Sequence, residues 1–391
     1  MGEVLTSFRY KSVQNVFWAT IFWSGILICL CVNIVCFPFL VVGCACLNCA
    51  MLLYTSSISH QVAVDSHLEV MENNILRKYA KTSPQRLWTE LKLNVLGRDI
   101  TCRAHSFTVQ SRRSQAPTLL LIHGNAASAV CYAECFELLS LDFNVVSLDL
   151  PGFGRSITDL DTTKRGRQDL ADIGIVFWVE FIAKFLDSQG LTEVMILGHS
   201  YGGFISICFT EKYPRRVTGL ILLSCAGIFP TMGELGSYWA VFFKFSVPQL
   251  FRRYLSPVGT WICLCLCWAT RCSSETLYWV TVTQNPRGWG DISIADGISV
   301  SYIGTFWKHP ALNSLLKITC PVLTVYGTED NIIPIHQGRV LQDVYGIPCV
   351  PIPGAGHSPI SRAKIMHGII KNTATTLPIQ SDTLVTFAAS V

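Results

Sequence analysis

Charge is what this chain has least of. Charged residues fill 14% of its positions, against a usual share of about 25%. The deficit is concentrated: from Val16 to Ser59 there is no Asp, Glu, Lys or Arg. That speaks against a soluble helix pair, because helices facing water alternate polar and apolar sides. A transmembrane helix takes about 20 apolar residues, and this run approaches twice that length, with Pro38 close to its middle. Residues 1–60 therefore read as a membrane anchor of one or two transmembrane helices. A hairpin would place its spans at roughly 16–36 and 39–58. A single tilted span continuing into an interfacial helix is the alternative. The run is far too long for the apolar core of a signal peptide, and no small-residue cleavage site closes it. Arg9 and Lys11 precede it and favour a cytosolic N-terminus. A hairpin then returns the rest of the chain to the cytosol, whereas a single span sends it to a lumen. No N-x-[ST] acceptor is present, which favours the cytosol.

Other absences narrow the function. The net charge of +4, from 30 basic and 26 acidic residues, is too small and too scattered to imply nucleic-acid binding. There is no internal repeat. The 17 cysteines are odd in number, so they cannot all pair within one chain. Cys263, Cys265, Cys267 and Cys272 lack a histidine at ligand spacing, so no metal is expected. No cofactor is implied.

What is present begins with Gly198-His199-Ser200-Tyr201-Gly202-Gly203. It follows the apolar run Val194–Leu197 and opens another, Phe204–Phe209. A serine between glycines on a tight strand-to-helix turn is a nucleophile elbow, with its Oγ exposed at a helix N-terminus. Downstream, Pro321–Asn331 is a buried-type strand ending in a carboxylate, and Val350–Ser358 carries His357 on a glycine-rich loop. Upstream, Thr118–Asn125 is a strand running into a loop, and Val145–Ser156 is a second strand with a Gly-rich exit.

These ordered motifs give the stretch from about Trp88 to about Thr376 a resemblance to the α/β-hydrolase superfamily, in its epoxide-hydrolase, lipase and ABHD-type branch. The residues that carry it are His123-Gly124, Asp149–Ser156, the serine elbow, Gly327–Asp330 and Gly356-His357. The resemblance implies an α/β-hydrolase fold: a mostly parallel eight-stranded sheet with helices on both faces and a helical cap. With the anchor, the expected organisation is 1–60 anchor, 61–87 linker, 88–227 and 317–376 core, 228–316 cap and 377–391 tail. The cap follows from spacing as well. About 90 residues separate the strand at Val217–Leu223 from that at Val322–Val325, far more than one crossover needs. The cap is apolar and aromatic, a pattern fitting either an acyl-chain pocket or bilayer contact, or the packing face between cap and core.

The roles follow from the order Ser200, Asp330, His357. Ser200 is the expected nucleophile, His357 the base, and Asp330 the acid that orients it, with Glu329 a less favoured neighbour. The backbone amides of Tyr201 and Asn125 are the expected oxyanion hole, with Ala126 as substitute for Asn125. His123 is expected to anchor a loop, His199 to pack or hydrogen-bond under the elbow, and Asp149 to bind neighbouring backbone amides. A serine at the apex, where epoxide hydrolases and haloalkane dehalogenases use aspartate, favours acyl chemistry. The run His357–Arg362 lacks the aspartate of an H-x-x-x-x-D acyltransferase signature, which argues against that activity. The expectation is a membrane-anchored serine ester hydrolase acting on a lipid or other apolar acyl substrate. A thioesterase or amidase with the same triad is the enzymatic alternative. A non-catalytic receptor or scaffold of the same fold is the other.

Overall fold

The chain is described here from a computed structural model, which covers residues 60–80, 84–124, 127–159, 164–229 and 311–375. The expected anchor up to residue 59, residues 230–310 of the expected 228–316 cap, the tail, and Asn125 with Ala126 lie outside the described residues. The chain divides into two compact units, Met1–His60 and Gln61–Val391. Apart from His60, the described residues belong to the second. Among the described residues no helix is long and apolar enough to cross a membrane.

The strands are β1 (Gln85–Val95), β2 (Arg98–Val109), β3 (Thr118–Ile122), β4 (Asn144–Leu148), β5 (Ile157–Thr158), β6 (Val194–His199), β7 (Val217–Leu223), β8 (Val322–Gly327) and β9 (Cys349–Ile352). They form one sheet in the order β1-β2-β4-β3-β6-β7-β8-β9, with β5 beside β2. The expected eight strands are there along this path. The ninth, β5, is two residues long and too short to be read from sequence. β1 and β2 form an antiparallel hairpin, and β2 meets β4 antiparallel. From β4 to β9 every pairing is parallel. The hairpin turns at Leu96-Gly97, both at positive φ (52° and 80°), as a two-residue turn matched to strand twist requires.

Side chains alternate across the sheet, as strand geometry dictates. Leu120 and Ile122 of β3 face one apolar layer, while Leu119 and Leu121 face the other. The first layer is closed by helices α3 (Lys164–Ser188), α4 (Tyr201–Lys212), α5 (Ala311–Leu315) and α6 (His336–Tyr345). The second is closed by α1 (His60–Tyr79), α2 (Ala133–Leu139) and α7 (Ala363–Thr375). Gly174 (φ 48°, ψ −137°) breaks α3 into two pieces.

The stretch expected to be a linker, 61–87, is mostly α1. Its Ile75 and Leu76 are buried in the second layer. Its Glu69 and Glu72 meet Arg86 at 2.9 Å each and Arg155 at 3.4 Å each.

The strand order places the site. The chain goes from β3 to β4 on one side, then crosses to β6 on the other. Loops leaving the carboxyl ends of β3 and β6 therefore diverge over a crevice, where open α/β sheets bind ligands.

Candidate active site

Ser200 follows the last residue of β6 and precedes the first of α4. Its backbone sits at φ 52° and ψ −116°, a conformation that costs a non-glycine residue about 1–3 kcal/mol. The surroundings hold it there. The Ser200 N–H donates to the Leu223 carbonyl (2.8 Å), and the Ser200 carbonyl accepts from Gly203 (3.0 Å) and Ala226 (3.1 Å). Two flanking glycines are sterically required. A Cβ on Gly198 would lie 2.5 Å from Ser206 Oγ and 2.7 Å from the Gly202 carbonyl oxygen, and one on Gly202 would collide with the carbonyls of Ile122 and His123.

The acid and the base arrive on two loops at the same edge. The Glu329 N–H donates to the Ala355 carbonyl (2.9 Å), and the Thr328 N–H to that of Ile352 (3.1 Å). The Gly354 N–H donates to Thr328 Oγ1 (2.9 Å). These bonds tie the exit of β8 to the exit of β9. They bring Asp330 Oδ2 to 2.9 Å from His357 Nδ1, and His357 Nε2 lies 3.1 Å from Ser200 Oγ. The other Asp330 oxygen accepts the N–H groups of Ile332 and Ile333, both at 2.9 Å. Glu329, next in sequence, points outward and is exposed. Burial works against ionisation of Asp330. The hydrogen bond and charge of His357 and the Ile333 N–H outweigh it and hold the carboxyl below its ordinary range.

The structure thus brings together Ser200, Asp330 and His357 from positions up to 157 residues apart. Tyr201, the first residue of α4, carries its backbone N–H beside Ser200. Asn125 is outside the described residues. The loop that leads to it nevertheless passes close by: a Cβ on Gly124 would sit 3.1 Å from that of Ser200.

A second set of buried groups fixes that loop. His123 Nδ1 donates to the Gly124 carbonyl (2.8 Å), and its Nε2 accepts the Leu150 N–H (3.0 Å). Both bonds require a neutral ring protonated at Nδ1, and burial pushes its pKa down accordingly. Asp149 accepts from the N–H of Ala129 (2.6 Å) and of Arg155 (2.9 Å), and pairs with His105 Nδ1 (2.7 Å). Burial raises its pKa, but the bond and charge of His105 and the Ala129 N–H bring it below the usual carboxylate range. Tyr132 donates its hydroxyl to the Ile122 carbonyl at 2.8 Å. His336 is exposed.

Two features escaped sequence reasoning. One is the quartet of Glu69, Glu72, Arg86 and Arg155, whose only local signal was the arginine inside the Gly-rich exit of β4. The other is the partner of His199: its Nε2 lies 2.7 Å from the backbone carbonyl oxygen of His357. Cys102 and Cys349 are free thiols. Burial raises the thiol pKa of Cys102 to about 12 and that of Cys349 to about 11, which leaves them unreactive. Among the described residues no group of three or more His, Cys, Asp or Glu could hold a metal.

Comparison with known proteins places this geometry in context. A family model described as the alpha/beta hydrolase fold matches residues 117–261. A 1-acylglycerol-3-phosphate O-acyltransferase of Arabidopsis thaliana is 26% identical over 271 residues, 62% of this chain and 62% of the relative. The 1-acylglycerol-3-phosphate O-acyltransferase ABHD5 of Rattus norvegicus is 36% identical over 122 residues, 31% of this chain and 33% of the relative. The match thus spans less than two thirds of the plant relative and a third of the rat one. Among solved structures, a membrane phospholipase A, a bacterial virulence factor, superposes with a TM-score of 0.54 at 18% identity, over 84% of this chain and 98% of that one. At that identity the likeness concerns the fold alone.

Proposed function

We propose that this chain, an α/β-hydrolase, is a membrane-anchored serine hydrolase that cleaves carboxylic esters of lipids or other apolar acyl compounds. The observation that carries this reading is the unbroken relay from Asp330 Oδ2 through His357 to Ser200 Oγ, with steps of 2.9 Å and 3.1 Å. In this mechanism Ser200 Oγ attacks the ester carbonyl carbon while His357 Nε2 takes its proton. The carbonyl oxygen becomes an oxyanion, held by the N–H groups of Tyr201 and Asn125 and by the N-terminal end of α4. The tetrahedral species collapses, and the alcohol leaves with the proton from His357. Water then repeats the sequence on the acyl-enzyme and frees the acid. Asp330 stays ionised throughout and stabilises the imidazolium.

The apolar substrate is supported by the acyl-glycerolipid named for the relatives. The membrane setting is supported by the charge-free run Val16–Ser59. The same relatives favour a second reading, in which the acyl-enzyme is intercepted by a lysophospholipid hydroxyl rather than water. Against it, Arg362 stands where the acyltransferase signature has an aspartate, and its guanidinium donates to the Gly354 carbonyl (3.2 Å).

The test is a panel in detergent micelles: ester, thioester and amide of one acyl chain, with and without 1-acylglycerol-3-phosphate. Release of free acid from the ester by wild type, and none by Ser200→Ala, is the expected result. Transfer to the acceptor without acid release would favour the second reading. Inertness of folded wild type toward the whole panel would overturn both.

A further inference from the structure

His199 is the last residue of β6, immediately before Ser200. Its ring is buried, with 8% exposed. Nε2 lies 2.7 Å from the carbonyl oxygen of His357. A carbonyl can only accept, so Nε2 carries the proton. The two imidazole rings stand 5.0 Å apart between centroids and are inclined by 51°. Adjacent residues of the elbow therefore grip residue 357 twice. Ser200 meets its ring at Nε2, and His199 holds its main chain. Among the described residues, the bond from His199 is the one that the backbone of His357 makes. The ties of this loop to the exit of β8, at Gly354 and Ala355, lie two or three residues away.

We propose that His199 is a positioning residue, which sets the Ser200–His357 distance by pinning the main-chain carbonyl of His357 to the elbow. The inference rests on the roles proposed above for Ser200 and His357. Its physical basis is that proton transfer needs hydrogen-bond reach and that a displacement of about 1 Å in a reacting pair can cost about 100-fold in rate. The ring suits the task electrically. Burial, followed by the neighbouring His357 charge, lowers its pKa to about 4. It is therefore neutral at pH 7 and adds no positive charge beside the imidazolium that forms on His357.

The experiment compares full-length wild type, His199→Phe, His199→Gln and Ser200→Ala in detergent. It measures the second-order labelling rate with a fluorophosphonate, and kcat and KM on p-nitrophenyl butyrate. His199→Phe fills the space without an N–H. It should slow labelling and kcat by about 10–100-fold, with KM within about twofold. His199→Gln extends an amide N–H to about the position of Nε2 and should recover most of the loss. A role in packing alone would not separate these two variants. If His199→Phe does not fold by circular dichroism, His199→Asn replaces it, since its amide falls short of the carbonyl. Labelling of folded His199→Phe or His199→Asn at the wild-type rate overturns the inference, as does a His199→Gln variant no faster than they are. Failure of the underlying reading looks different: wild type would not label, or Ser200→Ala would label as wild type does, and the inference would fall with it.

Discussion

Replacing Asp330 with asparagine separates the acid's chemical role from its structural one. One carboxylate oxygen accepts two backbone N–H groups, from Ile332 and Ile333, while the other faces His357 Nδ1. An amide has a single oxygen. Keeping it on the two backbone donors preserves the turn but aims the NH2 group at Nδ1. Nδ1 must then accept, so the imidazole proton moves to Nε2, and Nε2 can no longer take the proton of Ser200. Asp330→Asn should therefore leave the unfolding midpoint in urea nearly unchanged while lowering kcat by about 10⁴-fold, the loss typical of this exchange in comparable triads. At about 1.36 kcal/mol per decade this is about 5.5 kcal/mol of transition-state stabilisation. The assay is ester turnover on protein of verified fold, with Glu329→Gln as control. Because Glu329 is exposed, the control should stay within about twofold of wild type. An Asp330→Asn variant retaining more than about a tenth of the activity, or a collapse in Glu329→Gln, would refute the reasoning.

Two further outcomes concern stability. The His199 pKa falls from an ordinary 6.5 to about 4 in the folded protein, so between those values the unfolded chain binds more protons. Stability is then lost as pH falls from 6.5 to 4, by about 3 kcal/mol at about 1.4 kcal/mol per pH unit. Urea unfolding across this range should show that loss in wild type and a smaller one in His199→Gln; parallel curves would contradict it. Glu72 is 1% exposed between Arg86 and Arg155. Glu72→Ala leaves the two guanidiniums Glu69 as their carboxylate partner and should cost about 1–3 kcal/mol, read as a lower unfolding midpoint, whereas an unchanged midpoint would show that the Glu72 ion pairs do not help to hold α1.

Much of the central sheet was legible because buried parallel strands are continuous apolar runs. Thr118–Ile122, Val194–Leu197, Val217–Leu223 and Val322–Val325 all read as strands and are strands. The hairpin β1–β2 was not legible. β1 lies at the sheet edge, and its burial alternates along only part of its length. Helix α1 was hidden for a related reason. Its apolar contact is small, and it is fastened by ion pairs to residues 14 and 83 positions away, which no local periodicity reveals.

The candidate site divides in the same way. Gly198 and Gly202 announced the elbow because local sterics admit no side chain there. The order of serine, acid and histidine announced the loops. The contact of His199 with residue 357 spans 158 positions and depends on how the exits of β8 and β9 are tied together. Sequence could place a hydrogen-bonding histidine under the elbow but not name its partner. The preference for Asp330 over Glu329 came from the G-x-x-D pattern of the resembling family; its physical reason, the amides of Ile332 and Ile333 that hold the Asp330 carboxylate, was not legible.

The most direct measurement is peptide mapping by mass spectrometry after the full chain, in detergent, reacts with a fluorophosphonate. A working relay should place one equivalent of label on the peptide containing Ser200, and acid denaturation before the probe is added, or Ser200→Ala, should abolish it. Label on another residue, or none on folded protein at neutral pH, would contradict the assignment of Ser200 as an activated nucleophile.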